Sequence, residues 1–518
     1  MHAHDLSPQD GYVSAKDDPR KQEGFQISYE RADAMMTFHS IPFHMKKLPL
    51  LLSGLGLSII PMTGSTADWI IAPAITVEQV YTDNSLLSHD SEENESITRI
   101  TPSISAYREG ARARVDFNYA PEYRHYWEDT EDNELVHFLR AEGNTELVED
   151  HLFLDGWGTA DLTNITSSGR TGIDGLTGRS DSTEVYTAGI SPYFTVRMGN
   201  YSTFEARYTA DTVNYSADGV DDNRGQQVDL VLGSGRAFTH QIWELSAMQN
   251  VVDYDNLDED NEIKQVRAEF AQQLTRQWAI AFAAGYEEFD LALNTDLDDS
   301  LWTVGIIYTP SSRTRLAVGG GERAFGDDYY LDFSHRSQRT VWTATYERDF
   351  SSARDELIRP SLFQRQDAFG NLVRNAVLES PPNVERSSSA TLSAEFFEVE
   401  RVVTNFTYAT GKSTLSLGAV HTDRTYEDPI LDTQDLDLSA SLDREITQRI
   451  SGYLSLRWSD HEEQALDYDQ LVTTLGGDYQ LGAFSTLGMS LSHLERDAVT
   501  ETSSYEENRF SIFFTHTF

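Results

Sequence analysis

Charged side chains of both signs recur at alternate positions along this chain: Arg112, Arg114 and Asp116; Arg197; Glu205 and Arg207; Arg267 and Glu269; Asp435, Asp437 and Asp443. In an extended strand, side chains two apart share a face, so each group marks one polar face. Charges on a wet inner wall can brace it through cross-strand pairs. They can also form a polar track for a hydrated polymer or a selectivity field for small ions. Bracing is the ordinary role of any one residue. Tyr193 and Tyr453 lie on the same kind of face and would offer rings to a carbohydrate.

Other chemistry has weaker support. Asp255, Asp258, Glu259, Asp260 and Glu262 could attract calcium, but the run lacks the spaced ligands and central glycine of an EF-hand loop. A solvated acidic loop fits it better, as does a surface where divalent cations bridge to lipopolysaccharide. A hydrolase needs a nucleophile, a base and an orienting group. His240, His335, His421, His461 and His493 are scattered, with no local signature around any serine. A catalytic barrel would have to bring inward Ser, His and Asp or Glu together at one rim. His125, between Tyr123 and Trp127, suits a membrane interface better than a metal. No cofactor is implied and no enzyme activity is expected.

The elements that must position these residues are strands. In Ala111 to Tyr119, Ala111, Ala113, Val115, Phe117 and Tyr119 oppose Arg112, Arg114, Asp116 and Asn118. Leu436, Leu438, Ala440 and Leu442 oppose Asp435, Asp437, Ser439, Ser441 and Asp443, and Trp278, Ile280, Phe282, Ala284 and Tyr286 repeat the pattern. One face suits lipid and the other water, with aromatics at segment ends as in the girdles of membrane barrels. Low mean hydropathy (−0.46) is compatible with this, because only alternate positions need be apolar. The net charge of −44 argues against nucleic acid as a partner. With no cysteine among 518 residues, disulfides and thiolate metal sites are excluded.

Tight connections (Glu109-Gly110, Gly199-Asn200, Gly411-Lys412, Gly482-Ala483) alternate with longer acidic ones (83–96, 128–134, 169–181, 218–223, 255–262, 293–299). Short periplasmic turns and long outer loops are the habit of outer-membrane barrels. The fold expected is therefore all-β, a transmembrane antiparallel barrel of about 22 strands, with 18 or 20 if the segments near 224–232 or 327–337 are not independent. The longest irregular stretch, 351–392, is the expected lid or constriction in the lumen.

Both ends of the chain carry targeting features. Residues 45–67 combine Lys46-Lys47, the apolar run Leu48 to Ile60 and small residues Ser65 and Ala67, a secretory signal with cleavage expected near Ala67. Residues 1–44, ahead of it, are expected to be a disordered, mis-assigned extension, leaving 68–518 as the barrel. At the other end Phe510, Ile512, Phe514 and Phe518 share one face of a terminal strand. That ending resembles the signal by which outer-membrane barrels are handed to the barrel-assembly machinery.

The stretches ITVEQVYTDNSLL (75–87), TPSISAYREGARARVDFNYAPEYRHYW (101–127) and Arg339-Thr340-Val341-Trp342 resemble an uncharacterised outer-membrane barrel family that accompanies PEP-CTERM and exosortase systems and exopolysaccharide loci. The resemblance implies a porin-like component of a Gram-negative outer membrane that serves exopolysaccharide secretion. Its implied partners are lipid, lipopolysaccharide, the polymer and periplasmic export proteins, and it brings no catalytic residues. A general or solute-specific diffusion porin is the main alternative, followed by an outer-membrane enzyme or a structural barrel with a blocked lumen.

Overall fold

The computed structural model describes residues 69–358, 390–464 and 466–518. The extension 1–44, the signal 45–67 and most of 351–392 lie outside the described residues. The described chain forms 22 antiparallel strands, from β1 (Ile70–Thr82) and β2 (Glu95–Glu109) to β21 (Ser485–Ala498) and β22 (Tyr505–Thr517). Each strand pairs with its neighbour in sequence, and β22 pairs with β1 from Ala74↔Thr517 to Thr82↔Arg509. The sheet therefore closes and leaves no edge to recruit another chain. The two short segments in question are independent strands, β8 (Asn223–Ser234) and β14 (Gly326–Arg336).

Side-chain alternation sorts the two faces as the sequence pattern requires. Outward positions carry exposed apolar groups: Trp302, Val304 and Ile306 on β12 (Leu297–Ser311), Leu438 and Leu442 on β18 (Thr433–Glu445), and Phe510, Ile512 and Phe514 on β22. Phe514 pairs with Val77 and Ile512 with Gln79 across the closing seam. Phe518 lies past the strand, its N–H bonded to the Pro73 carbonyl, its ring edge-on to His516.

The connections fall into two sets. At the end that holds both strand termini of the barrel, the strands are joined by short turns such as 110–112, 199–201 and 410–412. Gly199 takes φ 62°, a left-handed conformation that glycine adopts without steric cost. At the opposite, loop end lie 83–94, 165–181 and the connection after β15 (Thr340–Ser352), which begins with helix α1 (Ala353–Ile358).

Candidate functional site

Inward positions along one strand differ sharply with height. On β3 (Ala113–Tyr126), Arg114 and Asp116 near the turn end are exposed, whereas Ala120, Glu122, Arg124 and Tyr126 near the loop end are buried. On β18, Asp443 and Glu445 are exposed while Thr433, Asp435 and Asp437 are buried. The lumen is thus a cup, accessible at the turn end and filled at the loop end.

Two inward-folded segments fill it. The 165–181 connection, which contains the longer acidic stretch 169–181 expected from sequence, turns into the barrel. The Arg124 guanidinium donates to the Gly175 carbonyl (3.0 Å) and the Tyr126 hydroxyl to the Leu176 carbonyl (3.0 Å). Asp174 takes Arg509 at 2.7 Å and Arg99 at 3.5 Å, Thr177 donates to Glu507 (3.2 Å), and Arg496 donates to the Ser168 carbonyl (3.0 Å). Leu176 is buried with Val80, Ile97 and Tyr126. Backbone carbonyls brought into a lumen must find donors, and here arginines and Tyr126 of the wall supply them.

The second segment is the described part of the expected lid. Arg354 of α1 pairs with Asp211 of β7 (Ser202–Tyr215) and donates to Asn223 of β8 (2.7 Å). Two residues on, Glu356 meets Arg401 of β16 (Phe396–Ala409) at 2.6 Å and Arg424 of β17 (Ser413–Tyr426) at 3.3 Å. Burial pushes the Glu356 carboxyl up, but Arg424 and Arg401 outweigh it and hold the group below the usual carboxylate range. Ala353 packs in a buried cluster with Ala390, Phe397, Val399 and Tyr426. α1 therefore ties two separated stretches of wall together.

One ionic relay joins both segments. Arg424 also binds Asp435 (2.8 Å), Asp435 binds His461 Nδ1 (2.6 Å), and His461 Nε2 faces Glu463 (3.3 Å), which accepts from the Ser167 hydroxyl (3.1 Å). Ser, His and carboxylates do meet at one rim. Yet both nitrogens of His461 face carboxylates, and Ser167 donates to Glu463 and not to the imidazole. This is the geometry of an ionic clamp, not of a nucleophile held by its base.

Of the sequence-derived lumen residues, Arg112 lies off the strands. It sits in the β2–β3 turn, 2.6 Å from Glu149 of the next turn, because the strand pairing stops at Glu109↔Arg114. Arg114, Asp116 and Arg197 are inward and exposed near the turn end. Arg207 binds Asp155 (2.8 Å) and Glu205 (3.2 Å), and Arg267 binds Glu269 (2.7 Å). Asp435 belongs to the clamp, and Asp437 is held by Arg457 (3.1 Å). Tyr193 is sandwiched between Phe153 (4.9 Å) and the Arg207 guanidinium (3.9 Å). Residues missed from sequence include Arg99, Glu122, Arg124, Glu356, Arg424 and Arg496. A signal existed for one pair, since Glu122 and Arg124 are opposite charges two apart on a polar face.

Below the filled end the wall has two characters. From β4 (Glu134–Val148) to β10 (Asn261–Gln273) it carries ion pairs such as Arg140–Glu142, Arg207–Asp155 and Arg267–Glu269. From β18 around to β1 it carries hydroxyls, many paired across strands: Thr474 with Ser492 (3.0 Å), Ser490 with Ser511 (2.8 Å) and Thr76 with Thr515 (2.9 Å). Rings lie flat on glycines of neighbouring strands: Trp157 on Gly189, Tyr453 on Gly476, and Phe513 on Gly488. A Cβ at any of these glycines would collide with the ring, so glycine is what lets the aromatic lie against the wall.

Fold and lumen together define an outer-membrane-type β-barrel. No protein-family model matches the chain, and the search of curated proteins found no match. Among solved structures it is similar to the FrpB iron transporter from Neisseria meningitidis (F3-3 variant), 9% identical over 86% of this chain and 82% of that one, with a TM-score of 0.50. It is also similar to a mutant of the ferric enterobactin receptor from Pseudomonas aeruginosa in complex with enterobactin (10% identity, 86% and 81% coverage, TM-score 0.49). A third similar structure is the siderophore receptor PirA of Pseudomonas aeruginosa (11%, 86% and 80%, 0.46). At such identities the likeness establishes the barrel fold alone.

Proposed function

We propose that this chain is a gated outer-membrane conduit that passes a polar polymer, exopolysaccharide, out of the periplasm without performing chemistry. The observation that carries the reading is the cup itself. Its mouth is accessible at the turn end, its wall presents hydroxyls and flat rings to a hydrated chain, and its far end is filled by described segments that ion pairs hold in place. On this reading the turn end faces the periplasm, the signal is cleaved near Ala67, and Phe510, Ile512, Phe514 and Phe518 hand the strand to the assembly machinery. The resemblance to barrels of exopolysaccharide loci supports the same cargo. Periplasmic export proteins would feed the polymer, and the barrel would supply only the path. FrpB, whose barrel is similar, is named an iron transporter.

The test is reconstitution of the full chain in planar bilayers with polysaccharide fragments added on the turn side. Fragments should block the current for measurable times. Trp157→Ala with Tyr453→Ala should shorten the blocks by about 30-fold, on the basis of about 1 kcal/mol for each of the two ring-face contacts. Free passage of small ions with no polymer-dependent block in either protein would make the barrel a diffusion porin.

A further inference from the structure

The short turns segregate charge. Six successive turns, from that after β8 to that before β19 (Ile450–Glu463), each hold one cation and no acid: Arg236, Arg276, Arg313, Arg339, Lys412 and Arg449. All six are exposed. None forms an ion pair among the described residues, in a protein whose net charge is −44. The turns elsewhere differ. That at 149–151 carries Glu149 and Asp150, those at 199–201 and 481–484 carry no charge, and Arg112 is already engaged by Glu149.

The same arc carries an aromatic girdle on the outer face. Trp278 stacks on Tyr308 (4.2 Å), and Trp342 and Tyr408 are exposed. Trp278 follows Arg276 by two residues and Trp342 follows Arg339 by three. Rings of this kind settle at the level of lipid headgroups, and a cation a few residues further from the apolar belt lies at the height of the phosphates. An acidic protein docked over the mouth would not require the girdle. A lipid leaflet does.

We infer that this arc binds anionic phospholipid headgroups of the leaflet at the turn end, one basic turn per lipid, and so fixes the height of that half of the barrel in the bilayer. Each cation near an anionic surface contributes about fivefold to lipid partition, less at high salt. The inference does not depend on what the lumen carries.

Native mass spectrometry of the full-length folded barrel, released from micelles doped with phosphatidylglycerol or phosphatidylethanolamine of the same acyl chains, reads this directly. The wild type should retain phosphatidylglycerol at least fivefold more. Two triple variants, Arg236→Gln with Arg276→Gln and Arg313→Gln, and Arg339→Gln with Lys412→Gln and Arg449→Gln, should each lose about half of the bound anionic lipid. Arg112→Gln should lose none. Equal retention of the two lipids by the wild type would overturn the inference. So would undiminished phosphatidylglycerol on both folded triple variants, or its displacement by millimolar inorganic phosphate alone.

Discussion

Glu356→Gln should loosen the filled end of the barrel. The side chain keeps its shape but loses the charge that Arg401 (2.6 Å) and Arg424 (3.3 Å) hold. Arg424 keeps Asp435 at 2.8 Å and therefore does not become an isolated buried cation. The loss falls on α1. Hydrogen bonds to charged groups are worth about 1.5–3 kcal/mol each. Losing the equivalent of one shifts the balance between docked and released α1 by roughly 10- to 150-fold. Arg354 still anchors the other end of α1 on Asp211 and Asn223, so the effect is local and the barrel itself stays folded. Two assays follow the shift: open probability of single barrels in planar bilayers, and cleavage by added protease between residues 353 and 395. Both should rise, with heat-modifiable mobility unchanged. Glu398→Gln, which removes an ion pair with Arg348 away from α1, is the control and should do neither. Unchanged conductance and cleavage in Glu356→Gln would refute the view that this charge holds the segment in place.

Other outcomes follow from the same structure. Because Glu356 titrates below its ordinary value of 4.5, its contribution is complete above about pH 4.5 and fades as pH falls through the lower docked value; protease access to 353–395 should therefore rise between pH 5 and pH 3, and an unchanged profile would remove Glu356 from the clamp. Gly476→Val forces the Tyr453 ring off the wall, at a cost of about 1–3 kcal/mol in barrel stability, visible as a lower temperature for loss of the heat-modifiable band. Phe510→Ser with Phe514→Ser removes two lipid-facing rings, each worth about 2–3 kcal/mol when buried in lipid; the unassembled chain should accumulate in the periplasmic fraction, and normal membrane yield would separate assembly from these side chains.

The barrel was legible because strand alternation is local. Leu436, Leu438, Ala440 and Leu442 announce a lipid face without knowledge of any neighbour, and the alternation of tight turns with long connections orders the strands. Burial inside the lumen was not legible. Arg114 and Arg124 share a strand and a face, yet one is exposed and the other buried. The difference comes from loop 165–181, whose partners are hundreds of residues away: Arg509 for Asp174 and Arg496 for Ser168. A polar segment rich in Gly, Ser and Thr reads the same whether water or a wall of arginines satisfies its backbone. The 351–392 stretch stood out by length alone. Its described ends do fold inward, but nothing in their composition marks Arg354 and Glu356 as the residues that tie it down.

Export is tested by staining surface polysaccharide in a deletion strain beside a strain complemented from Met45. In the deletion strain polymer should disappear from the surface and accumulate in the periplasm, and it should return on complementation. Normal surface polymer in the deletion strain, together with reduced uptake of small solutes, would contradict it and make the barrel a diffusion porin.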